Sequence, residues 1–276
     1  MKIALYQAQT GIDPEMNAKG LAAAVDEAAA GGAAMLFTPE MSGLLDKDRE
    51  RARRHLRSEA EDPVLGAVRA AAKRNAIWVH LGSLALAGER EDGRLVNRGF
   101  LIDGDGGIRA RYDKMHLFDV DLPTGESWRE SASYAGGEAA VAVDTPLGRL
   151  GMSICYDLRF PDLYRALTGA GATILSIPAA FTVPTGRAHW HILLRARAIE
   201  AGVFVVAAAQ VGRHEDGRET FGHSLVVDPW GEVLLDMGDA PGLGFAEIDP
   251  AQVDEVRSRL PAIRHRRPIP DPEPAN

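Results

Sequence analysis

Cys155 is the only cysteine in 276 residues, and it stands in Gly151-Met152-Ser153-Ile154-Cys155-Tyr156-Asp157-Leu158-Arg159-Phe160-Pro161, where an apolar strand-like run gives way to a polar turn. A lone thiol can form neither an internal disulfide nor a thiolate metal cluster, which leaves a reactive sulfur or an inert buried one. Taken alone it favours the inert state, since free cysteine is among the most buried residue types. Two further residues occupy comparable places: Glu40 closes Leu36-Phe37-Thr38-Pro39-Glu40, and Lys114 lies in Arg111-Tyr112-Asp113-Lys114-Met115-His116-Leu117-Phe118. Singly, the first is an ordinary strand-end carboxylate and the second an ordinary surface lysine. Together, a thiol, a carboxylate and an ammonium group supply what amide cleavage requires. The sulfur attacks, the carboxylate takes its proton and returns it to the leaving amine, and the cation faces the tetrahedral oxyanion.

The elements that must position these residues follow from periodicity and punctuation. Residues 2–9 alternate as a strand, and Asp13-Pro14 opens a helix that Gly31-Gly32 stops. The apolar run 34–37 then reads as a strand buried on both faces and ending in Glu40. The arginine-rich stretch 48–57 reads as an exposed helix or loop, and 63–75 as a helix with Val64, Leu65, Val68 and Ala71 inward. Strands follow at 77–83, 96–103 and 108–112, joined through 88–93 and 104–107 with hairpin chemistry. Residues 112–137 lack periodicity, which inside a compact domain points to a functional segment. Further strands are expected at 140–143, 149–155, 172–176, 203–209, 223–227, 233–236 and 244–248, with helices at 160–169 and 188–201. The pattern predicts one α/β domain over residues 1–260, with a mixed central sheet layer and helices outside. A proline-rich charged tail at 261–276 is either loose or laid on a partner subunit. Three strand ends therefore carry the three chemical groups, where α/β sheets bind their ligands.

A formal charge of −8 argues against non-specific nucleic-acid binding and against a basic membrane-surface role. No apolar run has membrane-spanning length, the N-terminal stretch is too short for a secretory signal, and the single thiol suits the reducing cytoplasm. The expected partner is a small molecule.

The three segments around Glu40, Lys114 and Cys155 resemble, in sequence and in order, the signature segments of the nitrilase superfamily of carbon-nitrogen hydrolases. The similarity runs from Lys2 to about Pro268. It implies a four-layer α-β-β-α sandwich and an amidase working through a cysteine thioester. It also implies catalytic roles for Glu40, Lys114 and Cys155, with Glu130 in Trp128-Arg129-Glu130-Ser131 as the supporting second glutamate. The stretches 195–200, 210–214 and 222–231 look most like the branch that cleaves deaminated glutathione into 2-oxoglutarate and cysteinylglycine. The neighbouring omega-amidase branch, acting on 2-oxoglutaramate, shares much of them, and N-carbamoyl amino acids are a third substrate class. Arg187 departs from the pattern, standing where a proline usually follows the Thr-Gly pair. The resemblance further implies a homodimer or larger assembly, packed through the helix after Phe160 and the long helix after Arg187.

On the substrate side, Tyr156 offers a backbone N–H to the oxyanion. Arg159, four residues past the sulfur, suits either a substrate carboxylate or a structural pair with Asp157 or Asp162. Phe181, Thr185 and His189 are placed to line the pocket, with His189 and Trp190 open to a core role instead. Arg197 and Glu200 fit a helix-stabilising pair. A rival thiol peptidase would use His116 or His80 as the base; it leaves Glu40 and Lys114 unexplained. A catalytically silent binding protein is the non-enzyme alternative. No cofactor is expected, because Gly104-Asp105-Gly106-Gly107 lacks nucleotide-site spacing. No metal is expected either, because His189 and His191, two apart on a helix, cannot share a face.

Overall fold

The computed structural model describes residues 1–88, 90–121, 125 and 127–271. β1 (Lys2–Gln7), α1 (Pro14–Ala30) and β2 (Met35–Phe37) form the expected unit, with the two strands parallel. α1 opens where predicted: the Asp13 side chain accepts from the Glu15 N–H and Pro14 takes the first turn. Gly32, at φ +77°, carries the chain out of it. α2 (Arg49–Arg53) buries nothing. α3 (Pro63–Asn75), capped by Asp62, buries Val64, Leu65, Val68 and Ala71. β3 (Trp78–Leu86), β4 (Val96–Ile102) and β5 (Ile108–Asp113) follow. The aperiodic segment contains a small hairpin, β6 (Asp119–Asp121) and β7 (Ser127–Arg129), then one 3-10 turn at Glu130–Ala132. Residues 122–124 and 126, and Glu89 of the 88–93 stretch, lie outside the described residues.

The second half runs β8 (Val141–Thr145), β9 (Gly148–Met152), α4 (Pro161–Gly169), β10 (Ile174–Ser176) and α5 (Val183–Ala201). After these come β11 (Phe204–Ala207), the β12 (Val211–Arg213) and β13 (Glu219–Phe221) hairpin, β14 (Leu225–Val227), β15 (Val233–Asp236), β16 (Gly242–Glu247) and α6 (Ala251–Arg259). α5 starts five residues earlier than its pattern predicts, because Pro184 is tolerated in a first helical turn. β12, β13 and α6 were not legible as elements: the two strands span three residues each, and α6 buries only Val253.

In place of the one sheet layer read from the residue pattern, and as the family resemblance implied, the strands form two six-stranded mixed sheets, ordered β16-β1-β2-β3-β4-β5 and β15-β14-β11-β10-β9-β8. Period-2 alternation decides how they stack. Ile3, Leu5, Met35 and Phe37 face the second sheet in one core with Met152, Ile174 and Phe204, while Ala4, Leu36 and Val79 pack against α1 and α3. Leu163, Leu167, Trp190, Leu194 and Ala198 of α4 and α5 cover the far side of the second sheet. The result is the α-β-β-α sandwich. Short strands apolar on both faces carry no mark of which sheet they join, so the residue pattern alone merged the two.

The tail is laid on α4 of its own chain as far as Arg267: Arg266 Nη1 donates to the Arg165 carbonyl at 3.2 Å and to Thr168 Oγ1 at 3.0 Å, and Arg165 Nη2 to the Arg267 carbonyl at 3.1 Å. Its last five residues lie outside the described ones. No helix among the described residues is long and apolar enough to cross a membrane.

Candidate active site

The strand end after β2 turns sharply because β3 passes directly beneath it. Gly82 allows this approach, since a Cβ there would lie 2.1 Å from the Thr38 carbonyl and 2.4 Å from that of Pro39. Thr38 is tied back to β3 by its N–H to the His80 carbonyl and by the Gly82 N–H to its hydroxyl, both at 3.0 Å. The chain then places Glu40, only 5% exposed, with its carbonyl held by Gln210 Nε2 at 2.9 Å. Lys114 follows β5 directly and extends its ladder, its N–H donating to the Asn97 carbonyl at 2.9 Å.

Cys155 begins a 3-10 turn (Cys155–Arg159) just past β9, at φ +50°. A left-handed non-glycine residue costs on the order of 1–3 kcal/mol and persists only where its surroundings fix it. Two devices fix this one. Asp157, fully buried, accepts from Tyr112 Oη at 2.7 Å, from the His116 N–H at 3.0 Å, from His116 Nδ1 at 2.7 Å and from the Ile154 N–H at 2.9 Å. Arg197 of α5, 6% exposed, donates from Nε and Nη2 to the Leu158 carbonyl at 3.2 and 2.9 Å. The first device locks the sulfur's turn to the segment that carries Lys114. The second shows Arg197 doing more than pairing with Glu200, which it also meets at 3.0 Å.

These turns bring Glu40, Lys114, Cys155 and Glu130 together. Lys114 Nζ lies 2.9 Å from Glu40 Oε1 and 2.9 Å from Glu130 Oε2. The buried Cys155 thiol lies near enough to both the Glu40 carboxylate and the Lys114 ammonium for their charges to act on it. Glu40 Oε2 accepts the Ala180 N–H at 3.0 Å, and Glu130 Oε2 the Phe118 N–H at 2.7 Å. Asn97 of β4, which sequence reasoning missed, gives its Nδ2 to both carboxylates, at 3.0 Å to Glu40 and 3.3 Å to Glu130. Its signal was an uncharged polar side chain next to Arg98 in a strand whose other residues are apolar or glycine.

Electrostatics sort the protons. Burial is the largest influence on Glu40 and acts to raise its pKa, but the Lys114 charge, the neighbouring Cys155 thiol and the hydrogen bonds from Lys114 and Asn97 outweigh it and hold the carboxyl below its ordinary value. Burial works against the Lys114 charge, yet Glu130 and Glu40 keep it protonated far above its ordinary range. Burial, then the negative Glu40, push the Cys155 thiol well up. The resting site is therefore carboxylate, ammonium and neutral thiol. It suits attack in which the sulfur loses its proton to a neighbouring base rather than a preformed thiolate.

The histidines proposed for a peptidase are engaged elsewhere. His116 bonds Asp157 and stacks on Phe160 at 3.6 Å. His80 faces Ser176 Oγ at 3.2 Å and is driven by burial to a pKa of about 3.

On the open side, the Arg159 guanidinium sits 5.9 Å from the Tyr156 ring and 5.4 Å from that of Phe181, and its Nη1 lies 3.2 Å from His189 Nδ1. It makes no ion pair among the described residues, so neither Asp157 nor Asp162 is its partner. His189 is exposed at the start of α5, not in the core, whereas Trp190 is buried. Thr185 is turned into its own helix start, its Oγ1 2.8 Å from that of Thr182. Arg187 is exposed.

Residues 2–258 match the carbon-nitrogen hydrolase family, and the chain belongs to it; it is a hydrolase of small-molecule C–N bonds. Within that family it is 42% identical over 237 residues to the deaminated glutathione amidase of Yersinia enterocolitica, covering 86% of this chain and 82% of that one. To the Bos taurus protein of the same name it is 40% identical over 269 residues, covering 96% and 82%. The NitFhit protein of C. elegans superposes with a TM-score of 0.89 at 38% identity over 96% of this chain, which spans 65% of that longer protein. A mutant amidase from Nesterenkonia sp. AN1, showing Michael addition of acrylamide at its active site cysteine, superposes with a TM-score of 0.77 at 27% identity, covering 94% and 98%.

Proposed function

We propose that the chain is a deaminated glutathione amidase in which Cys155 is the nucleophile, Glu40 the proton carrier and Lys114 the electrophilic partner, with Glu130 holding Lys114. The observation that carries the chemistry is buried Glu40 held 2.9 Å from Lys114 Nζ, with both charges acting on the buried Cys155 thiol beside them. Cys155 Sγ attacks the amide carbonyl carbon as its proton passes to Glu40. The oxyanion forms against Lys114 Nζ and the Tyr156 N–H. Glu40 then protonates the amine nitrogen, the C–N bond breaks, and cysteinylglycine leaves a 2-oxoglutaryl thioester. Water yields a proton to Glu40 and attacks the thioester, and the thiol regains its proton as 2-oxoglutarate departs. A single oxyanion donor of this kind is worth roughly 10²–10³ in kcat.

Arg159 supports a substrate carrying a carboxylate next to its acyl chain: it is a guanidinium flanked by aromatic faces with no carboxylate partner among the described residues. Phe181 and His189 fill out that wall, and Thr185 supports it from the helix start. The direct test compares kcat/KM for deaminated glutathione, 2-oxoglutaramate and an N-carbamoyl amino acid. Clear preference for the first supports this reading. Preference for the second makes the chain an omega-amidase, and equal, feeble rates on all three remove the assignment.

The same reading makes residues 1–260 one catalytic domain, working in the cytoplasm without a catalytic cofactor and without nucleic-acid or membrane partners. A homodimer is supported by exposed Ile192 and Ile199 on α5 beside exposed Trp230, Val233 and Leu234, an apolar face adjoining the helices expected to pack.

A further inference from the structure

Among the described residues one cluster of metal-ligating side chains lies outside the active site: His191 of α5, His223 just before β14 and Asp236 at the end of β15. Their ligand atoms all lie within 4.8 Å of one another. Asp236 Oδ2 is 2.9 Å from His191 Nε2, and Oδ1 is 2.8 Å from His223 Nδ1. The three side chains are 28–37% exposed, so the cluster opens to solvent on one side.

The arrangement is built, not incidental. His223 is held at φ +54°, a left-handed conformation fixed by its N–H to the Gly238 carbonyl at 2.7 Å and by buried Trp190 Nε1 on its own carbonyl at 2.8 Å. Phe221 stacks on its ring at 4.5 Å, and His191 meets that ring edge-on at 5.2 Å. Asp236 Oδ1 also accepts the Gly238 N–H at 2.9 Å. Three separate elements thus aim two imidazole nitrogens and a carboxylate at one point, each oriented by neighbours that need no ion to do so.

We infer that His191, His223 and Asp236 form a binding site for a divalent transition-metal ion of the zinc type, with the fourth position open to water. Two imidazoles and one carboxylate are borderline donors that suit Zn²⁺ better than Mg²⁺ or Ca²⁺. Ligands at about 2.0–2.1 Å from a tetrahedral ion stand about 3.3 Å apart. The two hydrogen-bonded pairs therefore open by a few tenths of an ångström while the imidazole nitrogens close in. Each of these two ring nitrogens now faces a carboxylate oxygen, and it must carry no proton to ligate an ion. The ion would fasten α5 to β15 two residues beyond His189, whose ring touches Arg159.

The test is a Zn²⁺ titration of full-length, tag-free, EDTA-stripped protein carrying Cys155→Ala, which removes the only thiol that could compete. One equivalent per chain, a rise in Tm, and tetrahedral-type visible bands with Co²⁺ are expected. In the same background, His223→Gly retains a residue at ease with the left-handed backbone, and Asp236→Asn retains shape. Each should weaken binding by more than the roughly 10- to 100-fold that losing an outer-sphere partner causes, and abolish the Tm rise while leaving the metal-free circular dichroism unchanged. A Tm rise that survives both substitutions, or a parent protein that neither binds Zn²⁺ nor gains stability, overturns the assignment.

Discussion

The two sides of the active site are put together differently. On the inner side Glu40, Lys114, Glu130 and Asn97 are bonded to one another, Lys114 is 2% exposed, and the cluster contains its own counter-charges. On the outer side Arg159 has aromatic faces and one histidine around it, but no carboxylate among the described residues. The closed cluster fixes protons and geometry before substrate arrives, as electrostatic preorganisation requires. The open one leaves a cation to be completed by the ligand. Chemistry and selectivity should therefore fail separately when each side is cut.

The largest effects belong to the inner side. Cys155→Ala should abolish turnover in a coupled 2-oxoglutarate assay with the fold intact. Glu40→Gln, which keeps the shape but cannot take a proton, should lower kcat by about 10²–10⁴. Asn97→Asp comes next. It replaces the donor shared by two carboxylates with a third acidic group, so kcat should fall at neutral pH and recover partly on acidification as the new carboxyl protonates. A pH profile unchanged from wild type would show that Asn97 does not organise the pair.

Arg159→Ala should act mainly through KM, raising it for carboxylate-bearing substrates by roughly 10-fold or more, as expected for loss of a charged hydrogen-bonding partner, with kcat far less affected. An equal fall in kcat would erase the contrast between the two sides.

The smallest effect is that of pH on the wild-type enzyme. Glu40 must be ionised to accept the proton, and its folded pKa is lowered, so the acid limb of kcat/KM should lie below the ordinary glutamate range. The thiol's pKa is raised, so no alkaline limb from Cys155 should appear within the ordinary thiol range. The stability linkage has the matching sign. The contribution of ionised Glu40 is fully present above its unfolded value and is lost as pH falls through the lowered folded one. Glu40→Gln should flatten that acid-side loss in chemical denaturation.

Much of this was legible in the chain because the reactive groups stand at strand ends, where an apolar run stops at Phe37 or Met152 and a polar group follows. The helix starts were equally plain, at Asp13-Pro14 and at Pro63. What was hidden depends on contacts across the fold. Asn97 sits within a strand and acquires its role only when Glu40 and Glu130 arrive 57 and 33 residues away in sequence. Asp157 was considered as a partner for Arg159, yet it serves Tyr112, His116 and Ile154, joining two of the three signature segments. The separation into two sheets came only from the family resemblance and not from the residue pattern, because three-residue strands such as β2 and β10 are buried on both faces and reveal nothing of their neighbours. The nearness of His191 to His223 and Asp236 was hidden in the same way, since the three come from separate elements and the only histidine close to His191 in sequence is His189.

The central claim is that sulfur attacks while its proton passes to Glu40. It is tested most directly by rapid-quench intact-mass analysis with deaminated glutathione, followed by peptide mapping. The wild-type enzyme should show a transient 2-oxoglutaryl mass on the peptide containing Cys155, with one cysteinylglycine released per adduct, and Glu40→Gln should form it far more slowly. Steady turnover with no acyl mass on Cys155, or an adduct forming at the same rate in Glu40→Gln, would contradict the account.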